Sequence, residues 1–203
     1  METKTMEKKS KLALPVKSMV LIALFAALLC VCSWISVPSP FTPGVSFTLQ
    51  TFAVILAGLL LTPYEALLSG VVYILLGLVG LPVCAGFTTL YSKAFTPAGG
   101  YFIGFLITPF LIAVSRKYLL KAASKFIRNQ TAAKTVTFIF AAVVIGILGV
   151  DIPGFIVGKA MTHMAMKPAL IAFALSFMPT DIIKCLLAAF IGLSVDGAVN
   201  KSR

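Results

Sequence analysis

The chain has 203 residues, of which 60% are hydrophobic and only 11% are charged, and its mean hydropathy is +1.05. A soluble domain carries about a quarter of its residues as Asp, Glu, Lys or Arg, so this composition excludes a soluble monomer and indicates an integral membrane protein. The net charge of +11 comes from 17 basic and 6 acidic residues. In a membrane protein, an excess of basic residues is explained by the orientation of the chain in the lipid bilayer. We therefore do not predict a nucleic-acid partner from this charge.

Six apolar segments follow a basic N-terminus at residues 1–17. A helix that crosses the hydrocarbon core needs about 20 apolar residues, and by this measure we predict an all-α membrane domain at residues 18–192 and a C-terminal tail at 193–203. The predicted spans are residues 18–36, 48–62, 64–80, 99–115, 135–150 and 169–192. Pro63 lies in the tight turn before the third span, where a proline fits the first turn of a helix.

Basic residues divide unequally between the two sides of these spans. The N-terminus, residues 116–134 and the C-terminus hold thirteen of the 17 Lys and Arg residues, whereas the other connecting segments hold Lys93, Lys159 and Lys167. Cytoplasmic segments carry the basic excess, so both termini are predicted to lie on the cytoplasmic side of the membrane. The remaining lysine, Lys184, lies inside the sixth predicted span.

Small and polar residues mark the first two spans. Ala23 and Ala27 are four residues apart on one helix face, which permits close approach of a second helix from this chain or from another membrane protein. At the start of the second span, Thr48 is typical of a helix cap. The amide of Gln50 belongs inside the first helical turn instead, so it is a candidate ligand contact.

The segment before the fourth span is too apolar for a free loop. Residues 83–97 carry one charge, Lys93, and we predict that they fold against the outer end of the bundle as a lid. Gly99 and Gly100 open the fourth span, where unpaired backbone N–H groups attract anions. Gly100 and Gly104 also form a small-residue pair of the kind that packs helices together.

Asp181 and Lys184 in the sixth span give the strongest single indication of function. They are three residues apart, so on a helix they share one face. Charged groups inside a span are costly, and they face a cavity or each other. A buried structural ion pair and a polar ligand site both fit this pattern.

Other chemistry is not predicted. Residues 154–160 (GFIVGKA) are one residue short of a phosphate-binding loop and lack its Ser or Thr, so we predict no nucleotide site. The single histidine and the four cysteines have neither metal-ligand nor catalytic spacing, so we predict no catalytic residues, metal or cofactor, and no enzyme activity. The chain has the features of a binding unit without its own energy source.

Four motifs resemble the BioY family, the biotin-binding S components of energy-coupling factor (ECF) transporters. They are PFTPGVSFTLQTF at residues 40–52, LLGLVGLPV at 75–83, TPAGGYFIGF at 96–105 and PTDIIK at 179–184. The resemblance covers residues 18–192 and implies a six-helix fold that binds biotin near its outer face as a transported substrate. It also implies a transmembrane coupling subunit and two ABC-type ATPases as partners, with Ala23 and Ala27 matching the family's docking motif.

Biotin is chemically compatible with the candidate residues. Asp181 is expected to accept from the ureido N–H groups, Lys184 or Gln50 to donate to the ureido carbonyl, and Lys93 or the Gly99–Gly100 helix start to hold the carboxylate. Thr48 adds a hydroxyl group beside Gln50. The predicted apolar contacts are Phe47, Phe87 and Tyr101. Two alternatives remain: an S component for another small vitamin, and a membrane scaffold in which the Asp181–Lys184 pair is structural.

Overall fold

A computed structural model of the protein describes residues 14–42 and 44–200. Most of the predicted basic N-terminus and residues 201–203 lie outside the described residues. The helices are α1 (Val16–Trp34), α2 (Gln50–Leu60), α3 (Pro63–Leu78), α4 (Leu90–Ala94), α5 (Gly99–Phe126), α6 (Gln130–Phe140), α7 (Ile147–Thr162), α8 (Met166–Leu170) and α9 (Met178–Asn200). Two short strands, β1 (Ser36–Pro38) and β2 (Ser46–Thr48), form an antiparallel ribbon with Val37 opposite Phe47.

Four helices in the described part of the chain are long and apolar enough to cross a membrane. They are Val16–Trp34, Gly99–Phe126, Gln130–Thr162 and Met166–Val199. The last two contain π-helical turns, at Ala141–Gly146 between α6 and α7 and at Ile171–Leu175 between α8 and α9. The helices α2 and α3 are apolar but shorter.

The short helix α2 lies at the centre of the bundle. Every residue of α2 except Phe52 is buried, and the helix packs against α9 and α5. The approach to α5 is close, because a Cβ atom on Gly58 would come within 2.6 Å of Cβ of Ile112. The residues of α2 are therefore apolar because the helix is surrounded by protein. A helix in this position does not need to be as long as the bilayer is thick.

Two helices extend beyond their apolar stretches. α5 continues from the predicted end of the fourth span through the basic segment to Phe126, because lysine, arginine, leucine and alanine are strong helix formers. The sequence predicted a connecting segment from residue 151, but α7 continues through Pro153 and ends at Thr162. A proline is tolerated inside a membrane helix when its neighbours satisfy the freed backbone groups.

One end of the bundle gathers the charges near both chain termini, and we call it the charged end. Ion pairs join Arg116 and Lys134 to Asp196 at 3.6 and 2.5 Å. The Lys17 ammonium donates to the Val199 carbonyl at 2.8 Å, so the start of α1 lies beside the end of α9. The ribbon and α4 lie at the other end.

The turn between α2 and α3 also lies at the charged end. Pro63 occupies the first helical position of α3, as predicted, and Thr62 and Glu65 form a reciprocal capping box. The Glu65 carboxylate accepts a second hydrogen bond, of 2.6 Å, from the hydroxyl of Ser18 on α1. This carboxylate therefore joins the start of α3 to the start of α1.

Candidate functional site

A cavity opens at the end of the bundle opposite the charged end, where α2, α5 and α9 begin. It contains about 550 Å³ of space free of protein atoms, part of which is open to solvent. The lining residues are Gly44, Val45, Ser46, Thr48, Gln50, Thr51, Cys84, Ala85, Lys93, Ala98, Tyr101, Phe102, Phe105, Val150, Phe177, Asp181 and Lys184.

The charged pair on α9 forms the polar part of the wall. The Lys184 ammonium donates to Oδ1 of Asp181 at 2.8 Å, and Asp181 is only 2% exposed. Thr51, at the start of α2, adds a hydroxyl group to the lining of the same cavity. A carboxylate has about four acceptor positions and an ammonium has three donors, so both groups keep capacity for a ligand in the cavity.

Gln50 is part of a hydrogen-bond network beside the cavity. Its Nε2 donates to the hydroxyl of Tyr73 at 2.7 Å, and its Oε1 accepts from Thr48 at 3.2 Å. The Tyr73 hydroxyl in turn donates to the Val83 carbonyl at 3.1 Å. The network ties α2 and α3 to the segment that enters α4, so Gln50 holds the cavity wall in addition to facing the cavity.

Tyr101 is fixed by an irregularity in the helix that precedes α9. Just after the π-helical turn, the amide of Phe177 donates to the carbonyl of Ala174. A regular α-helix would direct this amide to Phe173. The Phe173 carbonyl instead accepts a 2.7 Å hydrogen bond from the Tyr101 hydroxyl. The Tyr101 ring is thereby held in the cavity wall between α5 and α9.

Aromatic rings form the apolar part of the wall. The ring of Phe177 lies 5.5 Å from that of Tyr101 and 4.6 Å from that of Phe47, centroid to centroid. Phe102 and Phe105 on α5 continue this surface. Rings at these separations pack favourably, and they offer a surface for an apolar ligand body.

The segment between α3 and α5 contributes a cation and a thiol. Lys93, on the short helix α4, lines the cavity and forms no ion pair within residues 14–42 and 44–200. Cys84 lines the cavity nearby, and burial raises the pKa of its thiol, so this group is neutral. Lys93 is therefore the candidate that this segment offers for an anionic ligand group.

The structure brings six of the predicted ligand contacts to the cavity, namely Thr48, Gln50, Lys93, Tyr101, Asp181 and Lys184. Phe47 contacts Phe177 but is not among the lining residues. Phe87 is 65% exposed and stacks on Trp34 with 5.3 Å between ring centroids, outside the lining. Gly99 and Gly100 also lie outside the lining. A Cβ atom on either would collide with the carbonyl oxygen of Ala94 or Pro153. Close backbone packing accounts for both glycines.

Three residues at or near the site were not singled out from the sequence. Tyr73 and Phe177 carry ordinary side chains in apolar segments, and only the contacts across helices give them a place in or behind the wall. Asp151 could have been identified from the sequence, since it is an acidic residue beside an apolar span. The sequence placed it in a connecting segment, whereas the structure buries it in α7.

Ala23 and Ala27 lie far from the cavity on an exposed face of α1. Both alanines are exposed, whereas Ala26 is 1% exposed and packs inside the bundle. The exposed face also carries Val20 and Leu24, each 59% exposed. Internal packing, one of the two roles open from the sequence, is therefore not what Ala23 and Ala27 do in this fold.

Comparisons with known proteins give one consistent result. The model of the BioY family matches residues 3–201. A protein described as a probable biotin transporter BioY from Bacillus subtilis is 31% identical over 183 residues, 89% of this chain and 91% of the relative. The biotin transporter BioY of Thermotoga maritima is 32% identical over 177 residues, 87% and 94% of the two chains.

A solved structure is similar to the whole bundle. The crystal structure of the S-component for biotin from an ECF-type ABC transporter superposes with a TM-score of 0.75 at 28% sequence identity. The match covers 90% of this chain and 94% of the other. The chain therefore has the helical membrane fold of that S-component.

Proposed function

This chain belongs to the BioY family, and from that premise we propose that it is a biotin-binding S component, the substrate-specific subunit of an ECF transporter. It is a multi-pass membrane protein and a transporter subunit, not an enzyme. The observation that carries the proposal is the buried Asp181–Lys184 pair, which faces a cavity beside an aromatic wall. Biotin is bound there as the transported substrate.

The head of biotin matches the polar part of the wall. Its ureido ring has two N–H donors and one carbonyl acceptor. Asp181 accepts from the ring, and Lys184 donates to the ring carbonyl, assisted by Gln50. Charge-assisted hydrogen bonds of this kind are stronger than neutral ones. The thiophane ring and aliphatic tail pack against Tyr101 and Phe177.

Lys93 binds the carboxylate at the end of the biotin tail. It is the lysine in the lining that has no acidic partner in the described residues, since Lys184 is paired with Asp181. The start of α5 is a weaker candidate, because the amide of Gly99 already donates to the carbonyl of Thr96 at 2.8 Å. The two lysines thus act at opposite ends of the ligand.

The exposed face of α1 docks onto a transmembrane coupling subunit that works with two ABC-type ATPases. Ala23 and Ala27 provide a surface without bulky side chains, on which a partner helix can approach closely. The exposed valine and leucine beside them supply apolar contact area. ATP hydrolysis by the partners supplies the energy that this chain's own sequence does not provide.

Both termini face the cytoplasm. Lys17, Arg116 and Lys134 lie at the charged end, whereas Lys93 and Lys167 lie toward the cavity end. A basic excess at the charged end favours its placement on the cytoplasmic side. The cavity then opens to the outside, where a substrate for uptake is encountered.

Biotin binding without ATP tests the proposed function. The purified chain in detergent is expected to bind one biotin per chain in a calorimetric titration, and the addition of ATP and Mg²⁺ is expected to change neither affinity nor stoichiometry. The reason is that the chain contains the ligand cavity while the ATPases are separate subunits. A titration that shows no biotin binding, or binding only with ATP, contradicts the proposal.

The role of Lys93 is tested with biotinamide, in which the tail carboxylate is a neutral amide. The parent chain is expected to bind biotin about tenfold more tightly than biotinamide, because an ionic hydrogen bond is lost. Lys93→Gln is expected to bind the two ligands equally. The control is Lys167→Gln, an exposed lysine toward the same end of the bundle that does not line this cavity. A Lys93→Gln chain that keeps the parent's preference contradicts the assignment.

A further inference from the structure

Asp151 is a buried acid without a structural partner. It lies in the second turn of α7 and is 5% exposed. Within residues 14–42 and 44–200, neither carboxylate oxygen accepts a hydrogen bond, and the only other buried unpaired side-chain atom is Oγ1 of Thr108. An unpaired carboxylate inside a membrane bundle destabilises the fold, so its presence calls for a function.

The part of α7 that carries Asp151 packs against the cavity wall, although Asp151 is not itself among the lining residues. One turn further along, a Cβ atom on Gly154 would collide with the ring of Tyr101, which lines the cavity. Val150, the preceding residue, lines the cavity. Asp151 therefore lies next to the wall of the proposed biotin site, although no prediction from the sequence placed it there.

The backbone around Asp151 is held firmly against α5. A Cβ atom on Gly104 would come within 2.9 Å of Cα of Val150, so these two helices touch along their main chains. No hydrogen bond fixes either oxygen of the carboxylate. A turn of the side chain toward a donor that enters the cavity beside Val150 would therefore break no hydrogen bond.

A structural explanation for Asp151 is not found in its contacts. Asp151 caps no helix end, and the ammonium of Lys184 is bound to Asp181 rather than to Asp151. The other buried acids in the described chain, Glu65 and Asp181, each accept hydrogen bonds from protein groups. Asp151 alone keeps all its acceptor capacity unused, which points to a partner that arrives with the ligand.

We propose that Asp151 is a second acceptor for the ligand's head group, acting together with Asp181. This inference rests on the proposed function. Two carboxylates and one ammonium complement a cyclic urea, which presents two N–H donors and one carbonyl: each acid takes one N–H, and Lys184 donates to the carbonyl. Asp151 is then a specificity determinant that selects head groups with two donors.

The test compares Asp151→Asn and Asp151→Leu with the parent for biotin affinity and for melting temperature without ligand. We expect biotin binding to weaken about tenfold for asparagine and about a hundredfold for leucine, because asparagine keeps a neutral acceptor and leucine keeps none. Both variants are expected to melt at or above the parent's temperature, since a buried carboxyl group without a hydrogen-bond partner is gone. Thr108→Val, which removes the other unpaired buried atom, is the control and is expected to retain the parent's affinity.

Biotin methylated at one or the other ureido nitrogen makes the test specific. The methylated ligand that lacks the N–H accepted by Asp151 is expected to bind equally to the parent and to Asp151→Asn. The other methylated ligand is expected to bind more weakly to Asp151→Asn than to the parent. Variants that bind biotin as tightly as the parent overturn the inference. The inference is also overturned if the Asp151 variants fail to fold while Thr108→Val folds, because Asp151 would then be required for the stability of the fold.

The two proposals fail in different ways. A parent chain that binds no biotin contradicts the proposed function. In that case the melting temperatures of the Asp151 variants still distinguish two roles. A lower melting temperature means that Asp151 stabilises the fold, whereas an equal or higher one means that it is present for a different ligand. A parent that binds biotin, with Asp151 variants that bind it equally well, leaves the proposed function intact and rejects the second acceptor alone.

Discussion

Replacement of Asp181 by asparagine, or of Lys184 by alanine, is expected to weaken biotin binding about tenfold or more. Asp181→Asn keeps the shape but exchanges an anionic acceptor for an amide, and Lys184→Ala removes a donor and leaves Asp181 without its ionic partner. Each charge-assisted hydrogen bond contributes roughly 1.5–3 kcal/mol, and the uncompensated buried charge costs about 3–5 kcal/mol of folding stability. Calorimetry and thermal unfolding of the same preparations measure the two effects.

The double variant Asp181→Asn/Lys184→Met separates ligand binding from structural pairing. It leaves no uncompensated charge at these positions, so folding stability is expected to recover while biotin affinity does not. Asp196→Asn, which breaks ion pairs with Arg116 and Lys134 at the charged end, is the matched control and is expected to keep the parent's affinity. A double variant that binds biotin like the parent would show that the Asp181–Lys184 pair is structural.

Ala23→Trp or Ala27→Trp is expected to abolish biotin uptake by cells while biotin binding by the purified chain is unchanged. Both alanines lie on an exposed face of α1, away from the cavity, so a bulky side chain there blocks the approach of a partner helix without disturbing the bundle. Uptake of labelled biotin and co-purification of the coupling subunit measure the loss, and calorimetry measures the retained affinity.

Ala160→Trp is the matched control for the docking face. Ala160 is exposed on α7, on a different helix, and the same substitution there is expected to leave both uptake and binding intact. Loss of uptake by the Ala160 variant as well would mean that bulk anywhere on the exposed surface is harmful. Normal uptake by the Ala23 and Ala27 variants would place the docking surface elsewhere.

The helices could be predicted from the sequence because their hydropathy and turn chemistry are local properties. Pro63 begins α3 as its position predicts, and each predicted span overlaps a helix, although only four helices in the described residues are long and apolar enough to cross a membrane. Helix length could not be predicted in the same way. α5 extends through lysines and arginines that favour helix but not hydrocarbon, and α7 contains Pro153, which local rules treat as a stop.

The site was predictable where a residue is costly in a membrane and has a close partner in sequence. Asp181 and Lys184 meet both conditions, and they pair across a single helical turn. Residues that depend on contacts between distant helices were not predictable. Tyr73 is part of the site because its hydroxyl hydrogen-bonds Gln50 and the carbonyl of Val83. Phe177 is part of it because its ring packs against the ring of Tyr101. Asp151 was visible as a charge, but its neighbours come from α5 and α9.

A crystal structure of the chain purified with biotin would show directly whether Asp181 and Lys184 bind the ligand. We expect density for the ureido ring within hydrogen-bond distance of the Asp181 carboxylate and the Lys184 ammonium, with the tail passing Tyr101 and Phe177 toward Lys93. A structure with biotin bound elsewhere, and with the Asp181–Lys184 pair untouched by ligand, would contradict this expectation.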